Sequence, residues 1–100
     1  MLRRRESKRS KMELYATVVE IVRRYPEGVG ITRLSYGVGV PVDRLRVLLN
    51  DLCSYGLILR MAEDGGAIYG VTPRGLEYLE TFWKIKGFLA TFGAGPEQLR

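Results

Sequence analysis

The side chains best equipped for chemistry lie between Pro41 and Asn50. Arg44 and Arg46 carry guanidinium forks that bond paired acceptors such as guanine O6 and N7, and the Asn50 amide suits the edge of adenine. On a helix turning by about 100° per residue, Val42, Leu45, Leu48, Leu49, Leu52 and Cys53 share one side. Asp43, Val47, Asn50, Asp51 and Ser54 fall opposite, with Arg44 and Arg46 on the two flanks. A merely solvated helix face with Arg–Asp pairs has the same composition, and Asp43 and Asp51 would repel phosphates. One good bidentate pair discriminates between bases by about 1–3 kcal/mol, so this surface predicts limited sequence preference.

The remaining inventory removes most catalysis. The chain has no histidine, which excludes His-based acid–base work, Ser-His and Cys-His nucleophiles and nearly every zinc site. Cys53 stands alone, so no intrachain disulfide forms and a reducing compartment fits. Gly28, Gly30, Gly37 and Gly39 match neither a P-loop nor a dinucleotide fingerprint, and the acids are scattered singly. The expectation is no catalytic residue, no metal, no cofactor and no small-molecule effector.

Charge is distributed unevenly. The 100 residues hold 16 Lys+Arg and 11 Asp+Glu, a net +5. Residues 1–11 carry Arg3, Arg4, Arg5, Lys8, Arg9 and Lys11 against Glu6 alone, which accounts for all of it; residues 12–100 hold ten basic and ten acidic side chains. The chain therefore reads as a neutral body with a cationic arm, disordered on its own and attracted to polyanions. The arm lacks the aromatics of an interfacial membrane helix, which favours nucleic acid over a membrane surface. No apolar run approaches the roughly 20 residues of a membrane span, and no apolar stretch follows the basic N-terminus as in a signal peptide. Cytoplasmic placement, at the nucleoid, is expected.

Local signals predict the elements that position these groups. Ser10-Lys11-Met12-Glu13 has capping-box form, so a first helix starts near residue 11, with Leu14, Val18, Ile21, Val22 and Tyr25 on its apolar face. Ile31 reads as a minimal strand, Thr32 as the cap of a short helix over residues 33–36, and Pro41 as the first position of a helix ending before Gly56. Residues 57–61 and 67–71 read as a hairpin around Asp64-Gly65-Gly66. Thr72-Pro73 opens a last helix, which Gly93, Gly95 and Pro96 are expected to stop near Phe92. Helix, strand, helix, helix, hairpin, helix is the winged helix-turn-helix order: mainly α with a small β-hairpin and a long C-terminal helix. The expected division is an arm over residues 1–10, a winged helix-turn-helix over 11–75, a dimerisation helix over 76–92 and a flexible tail over 93–100.

The segments Thr32-Arg33-Leu34-Ser35-Tyr36-Gly37, Leu52 to Leu57-Ile58, and Tyr69-Gly70-Val71-Thr72-Pro73-Arg74-Gly75-Leu76 carry a family likeness. Over residues 11–92 the chain resembles the archaeal winged-helix DNA-binding family typified by the Sulfolobus ten-a nucleoid protein. The resemblance implies a small DNA-binding dimer joined through its C-terminal helix. Two departures stand out: a last helix expected to end early, and acids Glu63 and Asp64 at the wing tip. The twelve arginines, four lysines and lone Asn50 and Gln98 suit a hot habitat.

The last helix carries two apolar stripes. Tyr78, Phe82, Ile85, Leu89 and Phe92 follow an a/d spacing, the coiled-coil seam expected to pair two copies. Leu76, Leu79, Trp83 and Ala90 form a second stripe about 120° away. One small domain covers one stripe, which points to a homodimer. The combined expectation is a dimeric winged helix, a transcription regulator or nucleoid protein, binding double-stranded DNA through Arg3, Arg4, Arg5, Lys8, Arg9, Lys11, Arg33, Pro41, Arg44, Arg46, Val47, Asn50 and Arg60. Arg74 is a further candidate for a phosphate, while Glu63 and Asp64 should keep the wing tip off the backbone. The competing expectations are a protein-interaction winged helix with an incidental arm, and a binder of structured RNA.

Overall fold

The computed structural model describes residues 9–99, with side chains described as far as Thr91. Helix α1 (Lys11–Arg23) begins at a complete capping box: the Glu13 N–H donates to Ser10 Oγ and the Ser10 N–H to Glu13 Oε1. Its Leu14, Val18, Val19 and Val22 are buried, while Tyr25 beyond its end is half-buried.

Strand β1 is Val29–Gly30, one step earlier than expected, and Ile31 is already the first residue of α2 (Ile31–Val38). Gly30, not Thr32, occupies the N-cap, without a side-chain bond. The reason is non-local. Val29 and Gly30 pair with Tyr69 and Ile68, some forty residues away, and that pairing fixes where the strand must hand over to the helix.

Helix α3 (Val42–Ser54) has Pro41 as its N-cap, just outside the first helical position: at ψ 153° it remains extended, and its carbonyl accepts from the Leu45 N–H at 2.9 Å. Gly56, at φ 78°, closes the helix: the Leu57 N–H reaches Leu52 O and the Gly56 N–H reaches Cys53 O, the paired bonds of a Schellman motif.

Strands β2 (Ile58–Glu63) and β3 (Gly66–Val71) form the wing, tighter than expected, with only Asp64-Gly65 between the paired Glu63 and Gly66. The antiparallel sheet has the order β1-β3-β2.

Thr72 caps α4 (Pro73–Leu99) and ties it to the body. Its Oγ1 accepts from the Gly75 N–H at 3.0 Å and donates to Gly56 O at 2.6 Å. A Cβ at Gly75 would lie 2.2 Å from Leu57 O, so only glycine permits this approach. The helix passes through Gly93, Gly95 and Pro96 to Leu99, which corrects the expected stop near Phe92. Glycine and proline destabilise a helix by about 1 and 3 kcal/mol respectively, which weakens a helix without by itself ending it.

The core gathers Leu14, Val18, Val22, Leu34, Leu45, Leu49, Leu52 and Ile58 between α1, α2, α3 and the sheet. Among the described residues no polar side chain is buried. No helix among them is long and apolar enough to cross a membrane, and no cluster of His, Cys, Asp or Glu is placed to hold a metal ion.

Candidate nucleic-acid interface

Helix α3 divides as its periodicity dictates. Leu45, Leu48, Leu49 and Leu52 are buried, whereas Asp43, Arg44, Arg46, Val47 and Asn50 are exposed, and Pro41 is exposed at the start. Arg44, Arg46 and Asn50 have no hydrogen bond or ion pair among the described residues. Their donors are therefore available to an incoming ligand.

Asp51 does not face outward with them. Tyr15 Oη donates to Asp51 Oδ2 at 2.7 Å, and Lys11 Nζ stands 3.9 Å from the same oxygen. The Tyr15 ring also meets Tyr55 edge-on at 5.9 Å. The Asp51 carboxylate, followed by burial, pushes the Tyr15 phenol far above its usual range and keeps it a donor. Of the two acids expected to oppose phosphates, one is thus spent fastening α3 to α1, and Asp43 alone remains on the open face.

The other candidates occupy separate places. Arg33 lies exposed on α2, its guanidinium 5.6 Å from the centre of the Tyr25 ring. Arg9 donates to Val38 O at the end of α2, and Lys11 sits beside Asp51. Arg60 projects from β2 close enough to α3 to act on Cys53, whose thiol is raised by burial and partly offset by this cation. Arg74 is partly engaged: its Nε donates to Tyr55 O at 2.9 Å, capping the carbonyl end of α3, and its Nη groups remain exposed. Glu63 and Asp64 are exposed at the wing tip. Arg3, Arg4, Arg5 and Lys8 lie outside the described residues.

Two groups escape the sequence reading. Thr32 and Tyr36 are exposed beside Arg33 on α2, Tyr36 at 85%. With Gly65, Gly66 and Ala67 of the wing they line a groove of about 570 Å³. A start of α2 at residue 33 hides this face; started at Ile31, the helix buries Leu34 and Val38 and presents 32, 33 and 36 together.

The seam expected along α4 is partly corrected. Phe82 is only 9% exposed and belongs to the core of its own chain, stacked on Tyr78 and edge-on to Trp83. Tyr78 is half-buried, and its hydroxyl donates to Met12 O at 2.7 Å. Because α1 covers this first half of α4, members of both stripes turn inward there, Leu79 included. Lys86 Nζ marks the end of that contact, 3.2 Å from Glu13 Oε2. Ile85 and Leu89 are about half exposed, as are Leu76 and Trp83 on the neighbouring side. The Phe92 side chain lies outside those described.

A neutral body that presents a polar, arginine-flanked helix beside a two-stranded wing is a winged helix-turn-helix. The chain belongs to the winged helix-turn-helix family, whose profile matches residues 8–89. It is similar to the crystal structure of Sso10a-2, a DNA-binding protein from Sulfolobus solfataricus, at 27% identity and TM-score 0.70, covering 91% of this chain and 96% of that one. That likeness falls in the archaeal family to which the Thr32–Gly37 and Tyr69–Leu76 segments point. A MarR-family transcriptional regulator from Silicibacter pomeroyi shares the fold at 21% identity, TM-score 0.64, over 91% of this chain and 73% of that one. So does MepR from S. aureus in complex with DNA, at 16% identity, TM-score 0.66, over 86% and 73%. No curated protein matches the chain.

Proposed function

We propose that this protein is a dimeric winged-helix DNA-binding protein, a transcription regulator or nucleoid-associated protein that holds double-stranded DNA with α3 and its basic arm. The observation that carries the reading is the outer face of α3, where Asn50 lies between Arg44 on one flank and Arg46 on the other, all three exposed and uncommitted. A helix entering the major groove reads base edges with residues of its N-terminal half, which holds Arg44 and Arg46, with Asn50 one turn beyond Arg46 on the same outward side. Arg33 on α2 and Arg60 on the wing, both exposed, are the candidates for phosphate contacts. The arm supplies the non-specific attraction, since the folded body has no net charge of its own.

Pairing through the part of the a/d stripe of α4 that runs beyond α1, at Ile85 and Leu89, covers apolar surface that the chain leaves open and presents two α3 helices to one duplex. The likeness to a DNA-binding protein at 27% identity supports the same reading.

The test is a salt series on random duplex DNA with the full chain, a chain lacking residues 1–8, and an Arg44→Ala/Arg46→Ala variant. Each phosphate that is no longer neutralised should flatten the log–log salt slope by about 0.9, so removing four basic residues should flatten it by up to about 3.6. The double variant should bind several-fold more weakly. If the full chain binds no duplex at low salt, the reading fails in favour of a protein partner; if it prefers structured RNA, it fails in favour of that.

A further inference from the structure

On α3, one side chain breaks the chemistry of its neighbours. Asp43, Val47 and Asn50 lie in a row at spacings of four and three, with Arg44 and Arg46 to either side. Four of these five are polar. Val47, in the middle, is 55% exposed, whereas the leucines of the same helix at 45, 48, 49 and 52 are buried. An isolated exposed valine is ordinary on a protein surface. Its position is less so: it is β-branched, a poorer helix former than arginine, lysine, glutamine or glutamate, and it stands at the centre of the face between two arginines.

We infer that Val47 reads thymine through its 5-methyl group. The inference rests on the DNA-binding reading above and names which base the centre of α3 selects. The thymine methyl is the apolar group that unmodified base edges present in the major groove, so an isopropyl group carried in by a polar helix has one matching contact there. From Asp43 to Asn50 the helix advances about 10 Å, close to three base-pair steps of about 3.4 Å, which puts Val47 over the middle of the stretch. Asn50 then falls about one step to one side, where an adenine edge satisfies its amide, and Asp43 about two steps to the other, where a cytosine amino group can donate to it.

The test uses alternating copolymers, which offer every register without a known target site. Affinity is measured by fluorescence anisotropy at one moderate salt concentration for an alternating dA-dT duplex, its dA-dU counterpart, an alternating dG-dC duplex and its 5-methylcytosine counterpart. Removing the methyl from dA-dT should weaken binding about fourfold for each thymine contacted, and adding it to dG-dC should strengthen binding by a similar factor. Val47→Ser should abolish both ratios, while Val47→Thr, which keeps one methyl, should retain part of them. Circular dichroism melting checks that each variant is folded. Equal affinity of the native chain for dA-dT and dA-dU overturns the inference while leaving the DNA reading intact. Ratios that persist in Val47→Ser also overturn it, by assigning the methyl effect to duplex shape. Failure to bind all four duplexes at low salt overturns the DNA reading itself.

Discussion

Helices α3 and α4 each bury one side against the same small body, and they treat the other side in opposite ways. The open surface of α3 is arginine, asparagine and aspartate around one valine; that of α4 carries Leu76 and Trp83 on one flank and, beyond the end of α1, Ile85 and Leu89. A buried side reports only what packs onto it. An open side reports what approaches from outside: charge and hydrogen-bond donors suit a hydrated polyanion, whereas apolar area suits a second protein surface. Length separates them too. The 13 residues of α3 stay within the body, while the 27 of α4, about 40 Å, outrun the α1 surface that covers their first turns.

The largest test of this contrast lies within α4. Phe82→Ala should cost about 3–5 kcal/mol in urea unfolding, since the ring is core. Ile85→Asp with Leu89→Asp should leave the fold standing and raise the dissociation constant of the proposed dimer about a hundredfold or more in sedimentation. A similar response of both variants in both assays would erase the division of α4 into covered and open halves.

The two faces of α3 make the next test. Leu45→Ala should cost about 2–5 kcal/mol, and Arg44→Ala should stay within about 0.5 kcal/mol while weakening DNA binding. If Arg44→Ala melts the protein as Leu45→Ala does, the arginine is structural. Smaller again, Tyr15→Phe should cost about 1–2 kcal/mol by leaving Asp51 without its phenol donor, and an unchanged melting temperature would dismiss that fastening.

The last effect is electrostatic and slight. Lys86, together with the Ser10 backbone bond, lowers the Glu13 carboxyl below its ordinary 4.5. A lowered carboxylate stabilises the fold above that value, and the contribution is lost as pH falls through the folded pKa. The melting temperature of the native chain should therefore fall slightly more steeply below about pH 4.5 than that of Lys86→Met. Parallel curves would show that the Glu13–Lys86 pair fastens nothing.

What is legible in the sequence is what is decided locally. The Ser10 capping box, the leucine side of α3, the Gly56 terminator and the Thr72 cap each lie within a few residues of what they determine. The handover from β1 to α2 is not, because it is set by Tyr69 and Ile68 across the sheet. Asp51 and Arg74 look like open charges in the sequence because their partners, Tyr15 and Tyr55, are 36 and 19 residues away. Phe82 looks outward for the same reason: the a/d spacing identifies a seam, and only the packing of α1 shows how far along α4 that seam is already filled. At the candidate site, then, the donors on α3 are legible and the neutralisation around them is not.

The contact between Gly75 and Leu57 O joins parts that the chain order keeps apart. Within a few ångströms, Thr72 holds Gly56, Arg74 holds Tyr55, and the start of α4 rests on the backbone that closes α3. There is no slack linker between the two helices in space, so they behave as handle and blade of one tool. A turn or tilt applied to α4 therefore bears directly on the end of α3, and in the proposed dimer the angle between two copies along α4 would set the angle between their two α3 helices.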